Sequence, residues 1–371
     1  MPKSFEMSAP PRLLTWLDGL PTIETVAPLL ARIQARGRVD VRIFLPAGKF
    51  RPESAVARQL DALGLTYVAV SRLRSKLLFH SDLRSGEGVL VLDDPALDRS
   101  SRRFRSRMIR KSGLPVIFLQ HGAFQGGVNS PLDAMTTAPL DFRADSLLLW
   151  HCGAAEAETL SADSLNKVQL CGFIKKQFLP LLDINPALQR WKDSHAHRVL
   201  LCQSFRWSGD RYDQIAIKNW YDMLDAFLAR NQDVGVLLRP HRGKAHRKHQ
   251  SLDIELMERH DNLLVSQDRE GLLQNASIND CIALCQSVIC PESTVALDAL
   301  YMQRNVMIWD QQKLIFPELP RINSTDDIAA FARAPDVAQR ASDEVRARYG
   351  DIDENLDRAA CHVETILSAR R

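Results

Sequence analysis

The stretch VIFLQHG at residues 116–122 is an apolar run that ends in a polar motif, and VGVLLRPH at 234–241 and SVICPEST at 287–294 follow the same plan. Short apolar runs of this length are typical of buried strands in a parallel sheet. Open α/β sheets bind their ligands outside the carboxyl ends of the strands, where these polar residues fall. The pattern therefore predicts parallel α/β sheets with a ligand site at the strand ends.

The segments before and between these strands extend the same alternation. RLLTWLD, from residue 12, is strand-like, TIETVAPLLARIQARG at 22–37 has the spacing of an amphipathic helix, and VDVRIFLP at 39–46 is strand-like again. A strand-helix-strand order of this kind is typical of a doubly wound sheet with helices on both faces. We expect the α/β fold class throughout.

The alternation stops once, between residues 175 and 197, where the chain contains two prolines and little strand character. It restarts with RVLLCQS at 198–204, so the domain boundary is predicted in this interval. We expect an N-terminal Rossmann-like acceptor domain at residues 1–185 and a C-terminal Rossmann-like nucleotide-donor domain at 186–371 that includes the terminal helices. Two such domains are expected to face each other across a cleft.

Bulk properties narrow the function classes. The 371 residues are 45% hydrophobic and 25% charged, which is enough for two cores, and the net charge of +3 is too small to predict a nucleic-acid partner. No run of about 18 apolar residues and no basic start before an apolar stretch is present. We expect a cytoplasmic protein, with peripheral contact at the inner membrane face left open.

The cysteines lack the dense spacing of a disulfide scaffold or of a zinc site, so we expect reduced thiols and no metal. The seven are Cys152, Cys171, Cys202, Cys281, Cys285, Cys290 and Cys361. Asp93 and Asp94 are the nearest approach to an acidic metal motif, but they stand alone after a strand-like run. Phosphate-loop, dinucleotide-binding and nucleophile-elbow motifs are absent from the sequence.

His121 is the candidate general base. It lies at a predicted strand end between Gln120 and Gly122, which form a candidate acceptor loop with the glycine-rich AFQGGVNSP that follows. Imidazole titrates near neutral pH, and glycines permit close approach of a substrate. The alternative is a histidine that only bonds a loop carbonyl.

Arg239 and His241 end the strand-like VGVLL and are candidate ligands of a donor phosphate. They open a basic loop, residues 244–249, for which a solvated surface is the favoured interpretation. Gln203 and Ser204, at the first strand-to-helix turn of the second domain, could contact the same phosphate or could belong to an ordinary polar loop.

Glu292, Ser293 and Thr294 precede the helix-like VALDALYM and complete the candidate donor site. Hydroxyl groups and backbone N–H groups at a helix start can bind an anion. Simple N-capping is the alternative, and the two roles are compatible. The cluster RSSRRFRSRMIRK at 99–111 could bind an anionic membrane face or an acidic glycan, or could be a solvated helix surface.

The motifs QHG at 120–122, RPHR at 239–242 and PEST at 291–294 resemble, in order and spacing, those of GT-B glycosyltransferases of bacterial surface polysaccharide synthesis. The similarity is to the group of CDP-glycerol glycerophosphotransferases, polysialyltransferases and capsule Kdo-transferases. KVQLCGF at 167–173 looks like the strand and glycine that often close the first domain there. Arg242 stands where that group has a proline.

The resemblance implies that His121 deprotonates an acceptor hydroxyl and that His241, Ser293 and Thr294 bind the leaving nucleotide phosphate. We therefore expect a metal-independent, inverting transferase without a cofactor, which moves a sugar or polyol phosphate from a CMP- or CDP-linked donor to a capsular, lipopolysaccharide or lipid-linked glycan acceptor. Two alternatives stay open. One is a nucleotide-sugar epimerase of the UDP-N-acetylglucosamine 2-epimerase type, and the other is a non-catalytic glycan- or nucleotide-binding subunit.

Overall fold

The computed structural model describes residues 9–17, 20–48, 54–71, 79–92, 103–123, 125, 139–153, 158–203, 214–240, 250–266, 271–273, 276–309 and 315–369. The chain forms two compact units. The first unit comprises Met1–Leu179 and Tyr349–Arg371, and the second comprises Pro180–Arg348.

The first unit is built on a parallel sheet of seven strands in the order β3-β2-β1-β4-β5-β6-β7. Its strands are β1 Arg12–Trp16, β2 Asp40–Pro46, β3 Tyr67–Val70, β4 Gly88–Val91, β5 Val116–Leu119, β6 Ser146–Leu149 and β7 Val168–Leu170. Its described helices are α1 Leu20–Ala35, α2 Ala55–Ala62, α3 Phe79–Arg84, α4 Arg103–Ser112 and α5 Ala162–Asn166, with a further one from the chain terminus.

The second unit is built on a parallel sheet of five strands in the order β10-β9-β8-β11-β12. Its strands are β8 His197–Cys202, β9 Val234–Arg239, β10 Leu263–Val265, β11 Ser287–Cys290 and β12 Asn305–Ile308. Its described helices are α6 Pro186–Ser194, α7 Gln214–Arg230, α8 Gln250–Arg259, α9 Ile278–Leu284, α10 Thr294–Tyr301, α11 Thr325–Arg333, the 3₁₀ turn Pro335–Ala338 and α12 Gln339–Tyr349.

Both sheets reverse their strand order at one point. In the first unit β4 pairs with β1 on the side opposite β2, and in the second unit β11 pairs with β8 on the side opposite β9. Two crossover connections therefore diverge from β1 and from β8, which opens a crevice outside the carboxyl ends of the strands. This reversal selects the strand ends at which each unit can bind a ligand.

The apolar runs form strands that are buried on both faces of the sheets. Every residue of β5, β6, β9 and β11 is buried, as a parallel sheet with two covered faces requires. In the second unit, α7 and α11 bring Trp220, Phe227 and Phe331 against the sheet. The predicted fold class, with two Rossmann-like α/β domains, is confirmed.

The predicted second domain is wrong at its carboxyl end, because the last helix, α13 Ile352–Ser368, belongs to the first unit. Arg32 of α1 forms ion pairs with Asp353 at 2.6 Å and with Asp357 at 3.0 Å. Arg36 pairs with the nearly buried Glu364 at 2.6 Å. The paired charges lie more than 300 positions apart in the sequence, so no local pattern reveals that the chain returns to the first unit.

A buried asparagine joins this last helix to the end of the first sheet. Asn355 Nδ2 donates to the carbonyl oxygens of Phe173 at 3.0 Å and Tyr349 at 2.8 Å. Gly172 lies directly against the Asn355 amide and has a φ of +80°, a conformation that L side chains rarely adopt. The glycine of the KVQLCGF motif is therefore required by this contact.

Candidate functional site

Gln120 fixes the loop that follows β5 in the first unit. It is buried, and its backbone N–H donates to the carbonyl of Leu148 at 3.0 Å. Its side-chain Oε1 accepts from the backbone N–H of Trp150 at 2.7 Å, and its Nε2 donates to the Gly122 carbonyl at 2.9 Å. Both ends of the amide are therefore used inside the protein, and the structure gives Gln120 a positioning role in the loop.

Gln125 holds the candidate base from the other side. Its Oε1 accepts from the backbone N–H of His121 at 2.7 Å, and its Nε2 donates to the Leu92 carbonyl at 3.2 Å, at the end of β4. His121 is half-buried. Its backbone is thus anchored to the neighbouring strand end, close to the point where the strand order reverses. Gln125 lies in the glycine-rich segment AFQGGVNSP, and no local pattern there distinguishes it from its neighbours.

In the second unit, Ser293 occupies the N-cap position of α10 in an extended conformation, but its side chain makes no capping hydrogen bond. The simple capping role is therefore not realised. Ser293 and Thr294 are half-buried, and they follow β11, the strand that pairs with β8 at the reversal point. The positive end of the α10 dipole lies at the strand ends of this reversal, where an anion is stabilised.

Glu292 lies beside these hydroxyls but is used internally. Its carboxylate accepts from the backbone N–H groups of Ile315 at 3.0 Å and Phe316 at 3.2 Å and pairs with Arg321 Nη2 at 2.6 Å. The side chains of Glu292 and Arg321 are 0% and 7% exposed. This buried pair fixes the segment after β12, so the structure gives Glu292 a structural role, and its predicted contact with the donor stays a prediction.

Arg239, the last residue of β9, is also turned inward. Its Nη1 lies 3.3 Å from Ser266 Oγ, 3.2 Å from the Ala276 carbonyl and 3.4 Å from Cys281 Sγ. These contacts tie the end of β9 to the end of β10 and to the start of α9. A phosphate role for Arg239 stays a prediction, and it would have to operate beside these bonds.

Gln203 is the residue just past β8, and it is 3% exposed. Its Nε2 lies 3.3 Å from the Tyr221 hydroxyl and 3.4 Å from Asp253 Oδ1, and Tyr221 donates to the same Asp253 oxygen at 2.7 Å. Tyr221 and Asp253 were missed by sequence reasoning. The available signal was a polar residue on the otherwise apolar buried face of α7 and of α8.

Several predicted residues lie outside the described residues: Ser204, His241, the basic loop 244–249, and Asp93 with Asp94. Of the basic cluster at 99–111, helix α4 is described, with Arg107 and Lys111 exposed and Ile109 buried. In the described part of the chain, no group of three or more His, Cys, Asp or Glu side chains could hold a metal ion. No helix there is long and apolar enough to cross a membrane.

The cysteines are all free thiols. Five of them are buried, and burial raises the pKa of Cys171 to about 12, so that this thiol stays protonated at neutral pH. Thiols of this kind behave as small apolar side chains rather than as nucleophiles.

No protein-family model matches the sequence, and no curated protein matches it significantly. Solved structures match its fold over nearly the whole chain. MnaA of S. aureus in a co-structure with UDP has 10% sequence identity and a TM-score of 0.64, over 96% of this chain and 97% of that one. The UDP-GlcNAc 2-epimerase of Methanocaldococcus jannaschii, in complex with UDP-GlcNAc and UDP, has 11% identity and a TM-score of 0.60, over 96% and 99%. A glycosyltransferase of Rickettsia africae has 8% identity and a TM-score of 0.55, over 98% and 100%.

These similarities cover both units of the chain, and at such low identities they concern the fold alone. The fold is shared by epimerases and by glycosyltransferases. The chain thus has the two Rossmann-like α/β domains of GT-B proteins.

Proposed function

We propose that the protein is a transferase that uses a nucleotide-activated donor, binds the donor nucleotide on its second unit and activates the acceptor hydroxyl with His121 of its first unit. The donor carries a sugar or a polyol phosphate, and the acceptor is a surface glycan or a lipid-linked glycan. The donor site comprises Ser293, Thr294 and Gln203, together with Ser204 and His241, which are assigned from the sequence.

The reversal of strand order in the second sheet carries the proposal. The two strands that diverge there, β8 and β11, end in Gln203 and in the Pro291–Thr294 turn. The helix that starts at this turn presents its positive end without a side-chain cap. A nucleotide phosphate needs charge-assisted or N–H donors of this kind, and the leaving group needs them most as its charge develops.

His121 supplies the proton acceptor in the proposed reaction. As the acceptor oxygen forms its bond to the transferred group, the bond from that group to the nucleotide phosphate breaks, and the hydroxyl proton passes to the imidazole. The electron pair of the broken bond stays on the phosphate. A base with this role contributes about 10²–10⁴-fold to the rate, provided that it is held in place. The Gln125 bond to the His121 N–H supports such positioning.

Nucleotide-sugar epimerisation is the second candidate, and a specific observation favours it. Two of the compared structures, MnaA and the M. jannaschii epimerase, contain UDP or UDP-GlcNAc, and the second is named for that reaction. An epimerase converts its nucleotide sugar without an acceptor. The two reactions are therefore separated by one NMR experiment, in which UDP-GlcNAc is incubated with the full chain alone.

The test begins with calorimetric titration of the full chain with UDP, CDP, CMP and GDP, with and without EDTA. We expect at least one nucleotide to bind, with an affinity that EDTA leaves unchanged. Release of that nucleotide from its sugar or polyol conjugate is then followed in the presence of a cell-envelope glycan fraction. His121→Ala should lower the release by about 10²–10⁴-fold and leave nucleotide binding intact.

A matched pair of serines controls for loss of structure in the second unit. Ser293→Ala should weaken nucleotide binding, whereas Ser324→Ala removes the N-cap of α11, which does bond to Asp327, and should leave binding unchanged. If no nucleotide binds the wild-type protein, the transferase and the epimerase proposals both fail and a non-nucleotide glycan-binding subunit replaces them. Unchanged release by His121→Ala refutes the assignment of the base.

A further inference from the structure

The strongest unexplained polar group in the described part of the chain is the side-chain oxygen of Gln203. The residue follows β8 at the strand-order reversal of the second sheet, and its backbone N–H remains in the sheet, donating to the Arg239 carbonyl at 3.1 Å. The side chain is 3% exposed. Among the described residues, its Oε1 has no hydrogen-bond partner, although a buried acceptor is normally satisfied.

The neighbours of Gln203 determine which way its amide faces. The hydroxyl group of Tyr221 in α7 donates a hydrogen bond to Asp253 Oδ1 in α8, at 2.7 Å. Burial, reinforced by the charge of Asp253, raises the pKa of Tyr221 above its usual value, so the phenol keeps that proton. The remaining lone pairs of the phenol and the carboxylate oxygen can then only accept hydrogen bonds.

Two acceptors therefore lie on one side of the amide, 3.3 and 3.4 Å from its nitrogen. The opposite orientation would bring the amide oxygen against a carboxylate and a phenol oxygen, which have no proton to offer it. Tyr221 and Asp253 thus orient the NH₂ group toward themselves and leave the carbonyl oxygen on the other side.

We propose that Gln203 accepts a hydrogen bond from a neutral O–H or N–H group of the donor nucleotide, with Tyr221 and Asp253 as positioning residues that hold its amide in that orientation. The inference rests on the proposed function and refines it. A deprotonated phosphate oxygen has no proton to donate, so the Gln203 oxygen recognises the ribose or the base rather than the phosphates. The phosphates are left to the start of α10.

The test compares nucleotides that lack one donor group with variants that lack the acceptor. Calorimetric titrations use UDP and CDP, each with its 2′-deoxy analogue, on the wild-type protein, Gln203→Met and Tyr221→Phe. Methionine keeps the length of the side chain without a strong acceptor. We expect Gln203→Met to weaken binding about 10-fold, the size of a hydrogen bond made to a buried group. Tyr221→Phe, which frees the amide to rotate, should weaken it less.

Discrimination between nucleotide and analogue separates recognition from structural damage. If the ribose 2′-hydroxyl donates the hydrogen bond to Gln203, the wild-type protein prefers UDP to its 2′-deoxy analogue, and Gln203→Met loses that preference. If a group of the base donates it, neither the wild-type protein nor Gln203→Met distinguishes UDP from the analogue. Gln203→Met then loses the same affinity for both ligands. Tyr301→Phe, whose hydroxyl lies 3.5 Å from the Arg346 carbonyl, is the matched control and should bind like the wild-type protein.

The failures of the two proposals are distinct. If the wild-type protein binds no nucleotide, the proposed function fails and this inference fails with it. If the wild-type protein binds UDP or CDP and folded Gln203→Met binds it equally well, only this inference is overturned. Thermal unfolding of each variant shows whether it is folded, and Tyr221→Phe provides the second test where Gln203→Met is not.

Discussion

Replacing Gly172 with alanine is expected to break the junction between the first sheet and α13. Its φ of +80° is left-handed, and a Cβ built on it would overlap the amide of Asn355. Asn355 is fully buried and bonds to the carbonyl oxygens of Phe173 and Tyr349, so its amide has no room to withdraw without giving up those bonds. The substitution therefore acts on the backbone and on the packed side chain together.

The magnitude follows from these two effects. A left-handed conformation costs a non-glycine residue about 1–2 kcal/mol. Loss of the two Asn355 hydrogen bonds adds about 0.5–1.5 kcal/mol each. Gly172→Ala should therefore lower the free energy of unfolding of the first unit by roughly 2–5 kcal/mol, a large part of the stability of a typical domain.

Urea unfolding of the full chain, with amide hydrogen exchange of α13 as the local readout, measures this loss. Gly113→Ala is the matched control, because Gly113 lies in the same unit with a φ of +70° but has no heavy atom within 4 Å of its added Cβ. The control should show only the backbone effect of about 1–2 kcal/mol. If the two variants lose equal stability and α13 exchanges equally in both, the packing argument is refuted.

Two further predictions concern buried charge and pH. Glu292→Gln leaves the nearly buried Arg321 without its counter-charge and should destabilise the second unit by about 3 kcal/mol in urea unfolding. The double variant Glu292→Gln with Arg321→Met should recover part of this loss. Equal stability of Glu292→Gln and the wild-type protein would contradict the prediction. Burial lowers the pKa of His362 below 6.5, so the unfolded chain takes up the proton first as the pH falls. The free energy of unfolding should therefore decline below about pH 6.5, and it should decline less in His362→Gln than in the wild-type protein. Urea unfolding of both proteins at pH 5.5 and 7.5 measures the two declines. Equal declines in the wild-type protein and His362→Gln would show that His362 does not contribute.

The strands, and their alternation with helices along the chain, were predictable because each depends on a local sequence pattern. Runs such as SVIC and VIFL have no polar residue to place on a solvent face, so the sequence alone indicates burial on both sides. The unit to which α13 belongs was not predictable, since it depends on ion pairs that Arg32 and Arg36 form with carboxylates near the other end of the chain. Neither arginine differs in its local pattern from a residue of a solvated helix surface.

The candidate site likewise has features that the sequence predicts and features that depend on contacts in the folded chain. The strand-end position of His121 follows from the apolar run before it, but the Gln125 side chain that holds its N–H becomes visible only once the loop is folded back on itself. Glu292 illustrates the opposite case. A carboxylate beside two hydroxyls at a helix start suggests a ligand site, yet its oxygens accept from Arg321 and from two backbone N–H groups of the segment after β12. Sequence locates polar groups, and the partners decide their roles.

Gln120 and Gln203 show how far that distinction reaches. Each is a buried glutamine one position past a strand, and each keeps its backbone N–H in the sheet. For Gln120, both the oxygen and the nitrogen of the amide are bonded to neighbouring backbone, so its whole hydrogen-bonding capacity is used to fix the loop that carries His121. For Gln203, the nitrogen is held by Tyr221 and Asp253, while the oxygen is buried without a partner among the described residues. Burying an acceptor in that state is unfavourable unless a donor arrives, so the arrangement favours a ligand that brings one. The same residue type in the same position thus serves as a structural clamp in one sheet and, on our proposal, as a recognition group in the other.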